Sequence, residues 1–265
     1  MPPRLFSNRT ACTGFVLVFI SSMLLDWTIY FVPYYFQALQ GASALISGVN
    51  TLPFDAFFIP AAGTAGGLLF KFGQYKPLHW WGFAVYATAA GLFSTMDSST
   101  QKVSWVFWQI FAAFGLGPFM TSKLPAVQSS LSESDVATSV GTHAFLRSFG
   151  FIWGFYRSSD YPEQPLIKDA NVQSTLVDGG AYSQVGSTYY TSLTGTVREE
   201  ALLVYTHALH VVWYAAAAFS LVGFLAVFVE KHIELCTTLE TEFGLEEEIP
   251  TEKDGAIVEK EASRK

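Results

Sequence analysis

Charge is scarce in this sequence. Only 14% of its 265 residues are Asp, Glu, Lys or Arg, whereas a soluble domain carries about 25%. Cysteine is scarcer still. Cys12 and Cys236 are the only two, and they make neither a metal-ligand spacing nor a disulfide framework. No basic stripe is present, which argues against a nucleic-acid partner. There is no nucleophile elbow, no His/Asp/Glu metal pattern and no phosphate loop. The sequence therefore reads as a non-enzyme, and no cofactor or metal is assigned to it. A cleavable signal peptide is not expected either. The first apolar run is too long for one, and no small-residue cleavage site follows it.

What the chain has instead is apolar bulk. It is 51% hydrophobic and holds 24 Phe, 12 Tyr and 7 Trp. These residues lie in runs of about 20, the length that crosses a bilayer as a helix. The expected fold is an all-α membrane protein, a six-span transmembrane bundle. The spans are expected at about 13–38, 45–70, 78–96, 103–124, 136–156 and 205–229. The fifth is the weakest, because it carries His143, Arg147 and three Gly. Residues 1–11 form a short polar lead, and 157–204 a polar loop rich in Ser, Thr, Tyr and Gly. The net charge of −7 belongs to the end of the chain, where Glu230 to Lys265 holds 11 acidic and 5 basic residues. That segment reads as an acidic tail, disordered after a short helix near 237–245.

The stretch Gly66-Gly67-Leu68-Leu69-Phe70-Lys71-Phe72-Gly73-Gln74-Tyr75-Lys76-Pro77 separates the second span from the third. A connection so short, so basic and so rich in turn formers is expected to be a cytoplasmic hairpin. With six spans, both termini then lie on the cytoplasmic side. Arg4, Arg9, Lys71, Lys76, Lys123 and Lys231 flank the membrane there, against Lys102, Arg157, Lys168 and Arg198 opposite. This is the expected direction of bias. It places the Asn8-Arg9-Thr10 sequon in the cytosol, where it reads as a chance match. In the second span, Ala61-Ala62-Gly63-Thr64-Ala65-Gly66-Gly67 lets a neighbouring helix approach closely.

Several of these segments resemble a known family. Gly67-x-Leu69-x-Lys71-x-Gly73-Gln74-Tyr75-Lys76-Pro77 is similar to the loop motif of the major facilitator superfamily. Leu124-Pro125-Ala126-Val127-Gln128, Glu133-Ser134-Asp135-Val136-Ala137-Thr138 and Phe145-Leu146-Arg147-Ser148-Phe149-Gly150-Phe151-Ile152-Trp153-Gly154 resemble the fungal fourteen-span drug:proton antiporters. So do Tyr34-Tyr35-Phe36-Gln37 and Leu239-Glu240-Thr241-Glu242-Phe243-Gly244-Leu245. The resemblance is to the carboxy-terminal half of such a protein, one six-span bundle of two. The amino-half signatures of the family are not found in this sequence. The resemblance implies efflux of an amphipathic organic compound (drug, toxin or secondary metabolite) across the plasma or vacuolar membrane. It implies protons and a small organic substrate as partners, besides the bilayer. It also implies a missing amino-terminal bundle or a second copy to complete the pathway. The alternative is a non-transporting truncated protein, or a single bundle that needs a partner chain.

The candidate residues follow. Asp26 sits mid-span, where an ionised carboxylate is costly unless it faces a cavity or is protonated. It is the first candidate for proton coupling, and a neutral, hydrogen-bonded acid is its bland alternative. Asp55, after Pro53, is the second candidate, or else a cap or interface residue. His143 and Arg147 are one turn apart on one face. They are candidates for the substrate pathway, or for a structural salt bridge of Arg147 with Glu133 or Asp135. Tyr34 and Gln37 are further pathway candidates. The alternative for Tyr34, as for Tyr30, Tyr35, Phe36, Trp105, Trp108, Trp153 and Trp213, is an aromatic belt at the interface. The resemblance adds a gate role for Gly67, Lys71, Gly73, Tyr75 and Lys76, beside simple anchoring. Pro118 and the preceding glycines are expected to bend the fourth span.

Overall fold

The computed structural model describes residues 3–159, 196–231 and 233. Most of the expected polar loop, Cys236 and the short helix expected near 237–245 lie outside the described residues. Within them the chain is helical, without a strand. A short 3-10 turn, Pro3–Phe6, leads into six long helices. They are α1 (Arg9–Ala38), α2 (Ala44–Phe72), α3 (Lys76–Phe93), α4 (Lys102–Gln128), α5 (Glu133–Ser159) and α6 (Thr196–Val229).

Short links make α1 to α5 successively antiparallel, and α6 ends beside the α2–α3 hairpin, so each end of the bundle gathers alternate termini. At the first end the Asn8 side chain donates to the Ser130 carbonyl at 2.8 Å, and Arg4 pairs with Asp135 at 2.7 Å. The α2–α3 hairpin and the end of α6 lie there too, joined by Tyr75 Oη donating to the Lys231 carbonyl at 2.7 Å. At the second end Tyr35 Oη donates to the Asp97 carbonyl at 2.8 Å, and His210 meets the Met96 carbonyl at 3.0 Å. The Asn8 of the sequon caps α1, accepting from the Thr10 amide at 3.1 Å, as Asn does at helix starts.

α1 is the central element. It touches α2, α4, α5 and α6, while α3 closes the back of the bundle against α4 and α6. α2 packs on α4, and α5 on α1. The core accordingly draws on α1, α3, α4 and α6. α2 and α5 leave most of their apolar side chains outside, from Leu45 to Phe72 and from Val140 to Trp153. α1, α2, α4 and α6 are each long and apolar enough to cross a membrane. α3 and α5 fall short on that measure.

Small residues set the helix spacings. A Cβ on Gly115 of α4 would stand 2.7 Å from the Tyr86 backbone nitrogen of α3. One on Gly82 of α3 would meet the Gly115 carbonyl at 2.8 Å. The expected small-residue contact in the second span is present: a Cβ on Gly117 would strike the Ala61 methyl at 2.7 Å. Gly67, in contrast, faces open space.

Four expectations need correction. α4 does not stop near Leu124 but runs through Pro125 to Gln128. Pro125 lacks only its own amide, and its carbonyl still accepts from Ser129 at 2.9 Å. α6 starts at Thr196, nine residues before the expected span, and its added turns carry Arg198, Glu199 and Glu200. Most of the aromatic residues assigned to a belt are core residues. Tyr35, Phe36, Trp105 and Trp213 are buried, and the Tyr35 hydroxyl is satisfied by Asp97 and Gln40, which removes the cost of burying it. Glu230, first residue of the expected tail, is also buried.

Gly115→Ala should lower the thermal unfolding midpoint in detergent, at a cost of about 1–3 kcal/mol for an overpacked contact. Gly67→Ala should leave it within a few tenths of that cost, since nothing stands within 4 Å of the added methyl.

Candidate functional site: charges in the bundle interior

Asp26 lies on a partly open stripe of α1. Asp26, Tyr30, Pro33 and Gln37 follow one another at steps of four, three and four, and all four are half-buried while their neighbours are mostly buried. Among the described residues the Asp26 carboxylate has no hydrogen bond or ion pair. Asp55 is exposed on α2 and likewise unpaired among the described residues. Asp26 is twelve residues from the end of α1, and Asp55 eleven from the start of α2. At the helical rise both lie roughly 17 Å from the second end of the bundle. The two acids are thus at one depth on adjacent helices, but nothing bonds them to each other.

The other pathway candidates divide. Tyr34 is buried in an aromatic cluster, edge-on to Tyr205 at 6.0 Å and to Phe31 at 6.2 Å. Gln37 is half-buried one turn further on. His143 and Arg147 are both half-buried on α5, and the Arg147 guanidinium sits over the Phe151 ring at 5.6 Å. The expected salt bridge of Arg147 with Asp135 is not made. Asp135 sits at the start of α5, more than three turns away, and pairs with Arg4. The Glu133 side chain lies outside the described residues.

The structure adds a residue that sequence reasoning placed elsewhere. Lys123 was expected to flank the membrane, but only 6% of it is exposed. A side chain on α4 leans toward that helix's start, so Lys123 points into the bundle. Its Nζ donates to Ser21 Oγ of α1 at 2.9 Å. Lys123, His143 and Arg147 lie within range of one another's charge. One sign of this was legible: Lys123 falls inside the apolar run ending at Leu124.

The gate candidates converge only in part. Gly73 ends α2 at φ 63°, with its amide on the Leu69 carbonyl at 2.8 Å, the left-handed cap that glycine favours. Tyr75 is fully buried and packs on the His79 ring at 5.8 Å. Burial raises the Tyr75 phenol above its ordinary value. Lys76 Nζ donates to the Glu230 carbonyl at 2.7 Å. Lys71 and Gly67 stay exposed. The residues that tie this hairpin down were not foreseen. His79 Nδ1 and Glu230 Oε2 form a wholly buried pair at 3.0 Å. A buried pair of this kind is strongly destabilising to break, because the survivor keeps its desolvation cost.

Glu230→Ala should therefore lower stability by roughly 3 kcal/mol and free the hairpin. The check is limited trypsin digestion in detergent: cleavage after Lys71 should accelerate at least tenfold over the unsubstituted chain, while the Lys76–Pro77 bond stays resistant to trypsin.

No family model matches the chain. Comparison with curated proteins gives clear relatives. The chain is 45% identical over 252 residues to the MFS efflux transporter aclA of Aspergillus oryzae. That match covers 93% of this chain and 46% of the relative. It is 40% identical over 262 residues to the efflux pump FUS6 of Gibberella moniliformis, covering 96% and 46%. It is 39% identical over 271 residues to the MFS-type efflux pump LUC4 of a Fusarium species, covering 99% and 48%. The chain spans about half the length of the curated relatives it matches. Across nearly all of its own length it is a membrane-bundle homologue of the major facilitator superfamily efflux transporters, and it belongs to that superfamily.

Proposed function

We propose that this bundle is one half of a proton-coupled efflux transporter for amphipathic organic compounds, whose pathway a second bundle completes. The observation that carries this reading is Asp26. It is a half-buried carboxylate without a partner among the described residues, on the open stripe of the central helix. Lipid does not tolerate such a group, so the stripe faces water or protein. Asp55, exposed at the same depth, supports a shared aqueous lumen on that side. A proton taken up from outside neutralises the acid, and its release inside restores the charge. The two charge states favour different packings of the stripe, which is what alternating access requires.

The relatives' names, efflux transporter and efflux pump, support export as the direction and a small organic molecule as cargo. The basic hairpin at Lys71 and Lys76 supports cytoplasmic termini, in the plasma or vacuolar membrane. The hairpin, held to α6 through Lys76 and Tyr75, would act as a gate element when those bonds exchange. Nothing in this reading calls for an enzymatic step, a cofactor or nucleic acid. The half-length match favours a second reading, a bundle that is inert until it meets its partner.

The test is dye efflux from vesicles or cells expressing the chain with and without a six-span amino-terminal bundle. With the partner, Asp26→Asn should reduce proton-gradient-dependent efflux at least tenfold, with unchanged membrane insertion. Wild-type efflux in Asp26→Asn would remove the coupling role. No efflux from any pairing would leave the inert reading standing.

A further inference from the structure

Among the described residues, the basic groups inside the bundle have no acid to answer them. Lys123 is buried, and its one bond is to Ser21 Oγ. Ser21 donates its own proton to the Leu17 carbonyl at 2.7 Å, so it serves Lys123 as an acceptor. Lys123 has three donors, and two of them have no acceptor among the described residues. Arg147 carries five donors in a planar fork, and none bonds to a described residue. His143 lies one turn away on the same helix. Of the described acids nearby, Asp135 pairs with Arg4, and Asp26 makes no bond to any of the three. Gathering like charges out of water without a counter-charge is unfavourable. Among the described residues, this arrangement leaves a place open for an anion.

We propose that Lys123 and Arg147, with His143 beside them, bind the carboxylate of an amphipathic substrate. Arg147 supplies a fork that matches a carboxylate edge to edge. Lys123, held by Ser21, approaches the same anion from the α4 side. The half-buried Phe151 ring under the guanidinium offers apolar surface to the rest of the molecule. Depth decides against a lipid head group as the occupant. Ser21 is twelve residues into α1 from Arg9, about 18 Å along the axis, well below the level of head groups. The proposal deepens the transporter reading and rests on it only in calling the ligand a substrate.

The test is equilibrium binding, without any gradient, to the 265-residue chain in phosphatidylcholine nanodiscs. The probes are 2-naphthoate and its neutral analogue 2-naphthamide. Naphthoate should bind at least tenfold tighter than the amide. Arg147→Gln and Lys123→Met should each remove that preference, and Arg147→Lys should restore part of it. Equal binding of the two probes overturns the proposal, and so does a preference that survives both substitutions. If Lys123 were only a tether to Ser21, Lys123→Met would leave the preference intact. If Lys123→Met does not assemble, the half-exposed Arg147 variants carry the test alone. In discs containing phosphatidylglycerol the preference should persist, and its loss there would assign the site to a lipid phosphate instead. Failure here leaves the efflux test of Asp26 untouched, and failure of that test leaves this binding measurement untouched.

Discussion

Lipid offers no hydrogen bonds, so every polar group in this bundle must find its partner within the bundle. Most do. Ser21, Ser22 and Thr28 return their hydroxyl protons to carbonyls one turn back. Thr28 also meets Tyr86 Oη at 2.8 Å, joining α1 to α3. Ser220 of α6 donates to the Phe83 carbonyl at 2.9 Å, and Gln109 of α4 to the Asn50 carbonyl at 3.0 Å. The His79–Glu230 pair applies the same rule to charge-bearing groups. It ties α3 to the residue that follows α6. The helix spacings that make these short bonds possible are set by Gly82, Gly115 and Gly117, where no side chain larger than hydrogen fits.

Against that background the unsatisfied groups stand out, and their distribution is not uniform. α3 and α6 hold only charges that are paired or near helix ends. Asp26 lies on α1, Asp55 on α2, Lys123 on α4 and Arg147 on α5. At the back of the bundle the charges are thus paired or terminal, although His79 Nε2, Trp213 Nε1 and Glu230 Oε1 have no partner among the described residues; the front and flanks carry the charges left unpaired there. A fold optimised for stability alone would replace Lys123 with an apolar residue of the same length. Keeping it costs stability and is understandable only if an incoming group repays that cost, the usual bargain at a binding site.

How much of this was legible in the sequence follows from the range of each interaction. The helices were legible because runs of about 20 apolar residues are a local signal. The hairpin was legible because Lys71, Gly73, Lys76 and Pro77 are neighbours in the chain. The close approach at Ala61 was readable from composition, although its partner, Gly117, was not. What could not be read were contacts between residues far apart in sequence. His79 and Glu230 are separated by 151 positions, and Lys123 and Ser21 by 102. Charge counting put Lys123 and Glu230 outside the membrane-facing body because it weighs a residue only by its neighbours in the chain. The aromatic belt failed for a related reason. A Tyr near a helix end looks amphipathic until a loop carbonyl, here that of Asp97, takes its hydroxyl.

The acid and the bases also stand in a definite order along the central helix. Ser21, which holds Lys123, and Asp26 are five residues apart on α1, about 7 Å along its axis. Five residues turn the helix by more than one full turn, so the two groups lie on different flanks of α1. The Lys123 tether faces α4, whereas Asp26, seven residues on from Phe19, shares the flank of α1 on which Phe19 meets Phe149 of α5. A ligand at one does not exclude a proton at the other, yet both bear on the same rigid rod. Since α1 touches α2, α4, α5 and α6, a change of charge on either flank biases the packing of four neighbours at once. Coupling between the two sites then needs no chain of contacts, only one helix with two preferred positions.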